Sequence, residues 1–228
     1  MAPEYRFLNV GELILPTDEH VVETWEPCGA EGYSVQPGEV FRRRVAGGFP
    51  PQSRDLDDLE TSFRNLVAET IAACAEFGVT IVPTRTYRPP DAQARLWRSS
   101  RTADEVSAAV AALQAHGRPV TAQILEGVGP QPGKLGRHVT NALPGESWHN
   151  IRPAMAADVA WMVDGVVVWD TERSAGAYNR NGYRLFRDEA TKRGLYRGPA
   201  WDWAHIQAAP GAADADAAET YFASVIGA

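Results

Sequence analysis

Two short stretches of this 228-residue chain bring histidine and aspartate together in apolar surroundings rich in tryptophan and alanine. The first stretch, residues 147–158, contains His149 and Asp158. The second lies downstream and contains Asp202 and His205. A polar side chain that is buried in such surroundings loses its hydration and needs a partner. Because one metal ion can serve histidines and carboxylates together, the pattern predicts a metal site built from both stretches.

The residue types fit a catalytic zinc site, which takes three protein ligands and leaves a fourth position open. The predicted ligands are His149, Asp158 and His205. Hydrolysis also needs a base that is not itself a ligand, and Asp202 precedes His205 by three positions. In a turn or helix, residues three apart project to the same side, with Cβ atoms roughly 5–6 Å apart. Asp202 is therefore the candidate general base.

Composition restricts the class of partner. A net charge of −7 and a pI near 5.3 argue against nucleic acid, because phosphate binding needs a concentrated basic face. Arginines nevertheless cluster between Arg85 and Arg101, so a small anionic substrate stays possible, although a solvated surface is the commoner outcome. The cysteines, Cys28 and Cys74, are expected to form no disulfide, since Cys74 lies in an apolar helical pattern.

The start of the chain, Met1–Arg6, lacks the basic residues and apolar run of a secretory signal. No stretch approaches the roughly 18 apolar residues of a membrane span. We therefore expect a protein without a signal peptide or a membrane span. It would be made in the cytoplasm as a monomer.

The order of elements predicts an α+β fold, in which helices flank a small antiparallel sheet that carries the metal site. Apolar residues recur at helical spacing from Leu56 to Phe77, and the β-branched run Val79–Val82 follows as a buried strand that Pro83 bounds. Residues 1–50 are predicted to form an irregular N-terminal arm on a domain of residues 51–228. Further helices are predicted after Pro89 and Pro90, at Ala103–His116, at Asn179–Arg193 and, on the surface, within residues 210–228.

The predicted strands place two of the ligands together. Ala156–Val163 reads as a strand that turns at Asp164-Gly165 into the strand Val166–Trp169. Strand alternation puts Asp158 on a face with small alanine neighbours, which leave room for a metal. A last strand around Trp203–Gln207 would return His205 to the side of Asp158.

The motifs together resemble peptidase family M15, a family of zinc enzymes. It contains D-Ala-D-Ala carboxypeptidases and dipeptidases, and the L-alanyl-D-glutamate endopeptidases of phage endolysins. The family pattern is a Tyr-Arg segment followed by Gln and Leu, then Ser-x-His, Ala-x-Asp on a strand, and Asp/Glu-x-x-His. The matching residues occur in the same order, from about residue 55 to 207: Tyr87-Arg88 with Gln93 and Leu96, Ser147-Trp148-His149, Ala156-Ala157-Asp158, and Asp202-Trp203-Ala204-His205.

The resemblance implies roles for several side chains beyond the Zn²⁺ ligands. Arg88 would stabilise the developing oxyanion or pair with a substrate carboxylate. Ser147 and Gln93 would bind substrate or, more simply, orient the ligands and the arginine. The chain departs from many members between His149 and Asp158, where Arg152-Pro153-Ala154 lies in a longer link.

The base separates the activities within the family. Endolysin-like endopeptidases commonly use aspartate in the final motif, whereas carboxypeptidase members typically use glutamate. Asp202 therefore favours a peptidoglycan hydrolase that cleaves the wall stem peptide between L-Ala and D-Glu, acting on the cell wall after release or delivery. A D-Ala-D-Ala carboxypeptidase and a non-catalytic wall-binding phage-tail protein stay open as alternatives.

Overall fold

A computed structural model of the protein describes residues 49–128, 138–170 and 181–226. Within these ranges, helices flank a five-stranded antiparallel sheet, so the predicted α+β class is confirmed. Most of the predicted arm and Cys28 lie outside the described residues, and the division at residue 50 stays a prediction. Cys74 is a buried free cysteine, and burial raises the pKa of its thiol to about 12.

The elements follow one another as predicted, with additions. A short 3-10 turn at Leu56–Asp58 comes first. The helices are α1 (Thr61–Glu76), α2 (Pro90–Arg98), α3 (Ala103–Ala115), α4 (Pro119–Gly127), α5 (Gly182–Lys192) and α6 (Ala215–Ile226). The strands are β1 (Thr80–Arg85), β2 (Ala156–Val163), β3 (Val166–Val168), β4 (Tyr196–Arg197) and β5 (His205–Gln207). Among the described helices, none is both long and apolar enough to cross a membrane.

Strand β2 is the centre of the sheet. Its neighbours are β1 on one side and β5 on the other, and β4 extends the sheet beyond β5. β3 returns from the hairpin turn to pair with the far end of β2. Asp164 and Gly165 have φ of 51° and 78°, as a two-residue hairpin turn with right-handed strand twist requires. The predicted strand and hairpin are thus confirmed.

Two predictions near the start of the sheet need correction. The helical pattern from Leu56 is interrupted, because Leu59 forms an isolated bridge with Ala154 before α1 begins. Strand β1 also does not end at Pro83. It continues to Arg85 with a shift of register, which accommodates a proline that has no N–H for the ladder.

The described residues form two apolar cores. The first lies between the sheet, α1 and α5, and is formed by residues that include Val67, Cys74, Ala157, Val159, Trp161 and Phe186. The second joins α2, α3, α4 and α6, and includes Ala94, Trp97, Ile124, Ala218 and Phe222. The prediction of a surface helix near the C-terminus was therefore wrong in part. Phe222 is fully buried, with its ring centroid 5.6 Å from that of Phe49.

Candidate metal centre

The site begins with a row of three side chains across the sheet. Asp158 lies in the central strand β2, opposite His205 of β5 and opposite Arg85 of β1. Directly opposed residues of antiparallel strands project from the same face. Strand pairing therefore brings one acidic, one imidazole and one guanidinium group together.

The predicted ligands converge on one point. His149 Nε2 lies 3.2 Å from Asp158 Oδ1, and His205 Nδ1 lies 2.8 Å from the same oxygen. The two imidazole nitrogens are 3.3 Å apart. These three residues form the one group of metal-binding side chains found in the described ranges, and together they could hold a metal ion.

The outer nitrogens of both histidines fix which inner nitrogens carry lone pairs. His149 Nδ1 lies 2.7 Å from the Thr86 carbonyl oxygen, which can only accept a hydrogen bond. His205 Nε2 lies 3.0 Å from Gln207 Oε1, and the Gln207 amide in turn donates to the Ala209 and Gly211 carbonyls. In the neutral form of each ring, the lone pair then points at Asp158.

This donor set suits a divalent metal ion. Two imidazole lone pairs and a carboxylate oxygen repel one another unless a cation or a proton lies between them. Histidine ligands of zinc characteristically donate their second N–H to a carbonyl or similar acceptor, as both do here. His149, Asp158 and His205 together offer three side chains of the types that bind such an ion.

Burial and charge set the protonation of these groups. Burial lowers the pKa of His149 to about 4, which keeps its ring neutral near pH 7. Burial alone would raise the pKa of Asp158, but His149 and His205 in their protonated forms favour the carboxylate through charge and hydrogen bonds, and they hold that pKa well below its usual range. The pKa of His205 is raised overall. Burial alone would lower it, but the hydrogen bond and charge of Asp158 and the charge of Asp202 outweigh that effect.

Backbone contacts hold the His149 loop against the end of β1. The Arg88 N–H donates to the His149 carbonyl at 3.0 Å, and Asn150 Nδ2 donates to the Arg88 carbonyl at 2.9 Å. Farther along the link, Arg152 forms an ion pair with Asp58 and places its guanidinium 5.9 Å from the Tyr87 ring centroid. The first half of the unusual link is therefore held at two points, Asn150 and Arg152.

Arg88 is a buried arginine held on two sides. Its Nη2 lies 3.3 Å from Asp158 Oδ2, and its Nη1 donates to Gln93 Oε1 at 2.6 Å. The fully buried Gln93 donates onward to the Ala142 carbonyl at 2.7 Å and to Thr140 Oγ1 at 3.2 Å. Burial and the charge of Arg85 lower the pKa of Arg88 to about 9. These contacts show Gln93 orienting the arginine.

Ser147 and Asp202 have different relations to the ligands. Ser147 Oγ accepts from the His149 N–H at 3.4 Å, a contact within the turn. Substrate contact by Ser147 stays a prediction. Burial, followed by the charge of Asp158, raises the pKa of Asp202, while His205 and Arg88 oppose that rise. Asp202 is thus close enough to Asp158, His205 and Arg88 for their charges to act on its carboxyl group.

One arginine with a positioning role was missed in the sequence. Arg187 of α5 is buried, and its Nη1 donates to the Asp202 carbonyl at 2.9 Å. Its Nη2 lies 3.4 Å from the Gly198 carbonyl oxygen, and its guanidinium is 5.1 Å from the Trp203 ring centroid. The signal was a charged residue at a core position of the helical pattern that Tyr183, Phe186 and Ala190 define.

A scan of protein families found no model that matches this chain, and a search of curated proteins found no match.

Proposed function

We propose that the protein is a zinc-dependent peptidase of the M15 type that cleaves the stem peptide of bacterial peptidoglycan. The observation that supports this most is the convergence of His149 Nε2, Asp158 Oδ1 and His205 Nδ1 within 3.3 Å of one another. These residues would hold the ion. A zinc ion in this position would supply Lewis-acid chemistry, which polarises a carbonyl and activates water.

Asp202 is proposed as the general base. A carboxylate with a raised pKa is better matched to proton transfer near neutrality than an ordinary aspartate. Its carboxylate would take the proton of the attacking water and return it to the leaving amine. The hydrogen bond from Arg187 to the Asp202 carbonyl would hold the base in place.

Arg88 is proposed to stabilise negative charge that develops on the scissile carbonyl oxygen. Gln93 and Asp158 fix its guanidinium before substrate binds, so little reorganisation is needed during the reaction. A structural zinc site has no need for a buried arginine or a carboxylate with a raised pKa. These two features favour a catalytic protein over the non-catalytic wall-binding alternative.

The proposal is tested by separating the metal from the chemistry. Asp202→Asn should keep one equivalent of zinc and its fold, yet lose about 10²- to 10⁴-fold in turnover on purified peptidoglycan, because it removes the base but no ligand. Asp188→Asn, at an exposed position of α5, is the matched control. Wild-type hydrolysis by Asp202→Asn would exclude the proposed base.

Two further measurements define the reaction. Mass spectrometry of the digest should find a new amino terminus on D-Glu, whereas release of free D-Ala would identify a carboxypeptidase. Metal analysis of protein purified without chelator should find zinc. A protein that contains no divalent metal and cannot be loaded with one would overturn the whole assignment.

A further inference from the structure

A second arginine, Arg85, lies in the site but has no role in the proposed mechanism. Arg85 Nη1 lies 3.1 Å from Asp158 Oδ2, the oxygen that Arg88 also contacts. Two guanidinium groups thus share one carboxylate oxygen, while the other oxygen of Asp158 faces the two histidines. Positive charge exceeds negative charge on this side of the centre.

An irregularity in β1 puts Arg85 in this position. Pro83 is paired with Val159, and Arg85 is paired with Asp158, so Thr84 is an extra residue in the strand. Regular alternation would place Thr84 opposite Asp158 and turn Arg85 to the core face. Irregularities of this kind commonly redirect a side chain beside a functional site.

The two arginines are held very differently. Arg88 is fixed by Gln93 and Asp158 together. Among the described residues, Arg85 forms a hydrogen bond and an ion pair with Asp158 alone, and its side chain is the more exposed of the pair, at 17% against 11%. The Nε atoms of both arginines lack a hydrogen-bond partner among the described residues. The site therefore has donors in excess of acceptors.

The charge balance indicates what Arg85 would bind. With zinc present, two arginines and a dication would face the single negative charges of Asp158 and Asp202. A guanidinium recognises a carboxylate through two parallel hydrogen bonds, and this interaction strengthens where water is excluded. An anionic group on the substrate would relieve the excess charge.

We infer that Arg85 is a specificity-determining residue that receives a free carboxylate next to the scissile amide of the substrate. This inference rests on the proposed peptidase function. On substrate binding, Arg85 would exchange part of its contact with Asp158 Oδ2 for the substrate carboxylate, while Arg88 keeps its place. Peptides that carry a neutral carboxamide at the same position would be poor substrates.

The test uses two peptides that differ in one group. Acetyl-L-alanyl-D-glutamate γ-methylamide is prepared with its α-carboxyl group free or as the carboxamide. The zinc-loaded wild-type protein should prefer the acid by about 10-fold or more in kcat/KM, as expected for one charge-assisted hydrogen-bonded contact. In Arg85→Gln the ratio should fall close to one, and Arg85→Lys should keep part of it, since lysine retains the charge without the planar fork.

Arg64→Gln is the matched control, because Arg64 pairs with the exposed Asp57 on the surface. It should keep the wild-type ratio. Equal kcat/KM for acid and amide in the wild-type protein, or an unchanged ratio in Arg85→Gln, would overturn the inference. If Arg85→Gln does not fold, the wild-type ratio and its reduction in Arg85→Lys decide the question.

A binding measurement separates this inference from the peptidase proposal. Calorimetry should show that zinc-loaded protein binds acetyl-D-glutamate γ-methylamide more tightly as the α-acid than as the α-amide, with the difference lost in Arg85→Gln. If this difference is found but no peptide is hydrolysed, the carboxylate site stands and the peptidase proposal falls. If both peptides are cleaved equally well and bind equally well, the peptidase stands and the role of Arg85 falls.

Discussion

Alternate residues of strand β2 lie on opposite faces of the sheet, and the two faces have different surroundings: one packs in the apolar core, and the other carries the candidate metal site. On one face, Ala157, Val159 and Trp161 are buried in the core with α1 and α5. On the other, Asp158 faces two histidines and two arginines, with the buried Ala156 and Ala160 as its neighbours along the strand.

The difference teaches how a small domain accommodates a buried charge. Each fully buried large apolar side chain on the core face stabilises the fold by about 1.5–3 kcal/mol. A buried carboxylate without partners would oppose folding by more than that. Asp158 is tolerated because Arg85 and Arg88 donate to its Oδ2, while the two histidines face its Oδ1, where a proton or a metal ion would complete the contacts. The core face is stabilised by apolar side chains that pack closely, whereas the buried charge on the site face is stable only when all of its polar partners are present.

The largest expected effect comes from removing the charge that these partners share. Asp158→Asn should weaken zinc binding by more than about 100-fold, since replacing even an outer partner of a ligand costs 10- to 100-fold. A chelator titration measures this directly. Asp164→Asn, an exposed position on the same hairpin, should bind zinc like the wild-type protein. Unchanged zinc affinity in Asp158→Asn would remove Asp158 from the ligand set.

The packing of the core face can be tested where α5 contacts Trp161 of β2. A Cβ added at Gly182, the first residue of α5, would lie 2.5 Å from Trp161 Cδ1. Alanine is the better helix former, but here overpacking should dominate, and Gly182→Ala should lower the free energy of unfolding by about 1–3 kcal/mol. Denaturant unfolding measures the change.

A double-mutant cycle tests whether the Trp161 ring is the cause. In a Trp161→Phe background, the smaller ring leaves room, so Gly182→Ala should destabilise less than it does alone. Zinc affinity of the folded protein should stay close to that of wild type in each variant. A Gly182→Ala protein as stable as wild type would show that the ring yields without cost.

Sequence periodicity was sufficient for β2 and its hairpin, and the residue types in apolar surroundings were sufficient to group His149, Asp158 and His205. Periodicity failed for Arg85, because one additional residue in β1 reverses the alternation. Pro83 indicates an irregular strand, but its position does not say which following side chain turns toward the site. Periodicity also failed to predict the burial of Phe222. Phe222 is buried because it packs against Phe49 and the residues of α4, which are distant in the sequence. Tertiary contacts of this kind cannot be predicted from the spacing of residues within one helix.

The smallest expected effect is on zinc affinity and comes from a second glycine, Gly198, which lies against His205 as Gly182 lies against Trp161. A Cβ at Gly198 would lie 3.0 Å from His205 Cβ and Cδ2, and 3.3 Å from the Asp202 carbonyl oxygen. These contacts are tight, so the His205 ring would have to move by a few tenths of an ångström. Gly198→Ala should weaken zinc affinity by up to about tenfold, at the low end of outer-partner effects.

The comparison of the two glycine variants is the decisive measurement. Gly182→Ala should lower stability and leave zinc affinity near wild type, whereas Gly198→Ala should lower zinc affinity with a loss of stability below about 1 kcal/mol. Competition with a chelator and denaturant unfolding, run on both proteins, separate these outcomes. If Gly198→Ala binds zinc as tightly as wild type, the position of His205 adapts to its neighbour, and the site is less rigidly held than its hydrogen bonds to Gln207 and Asp158 imply.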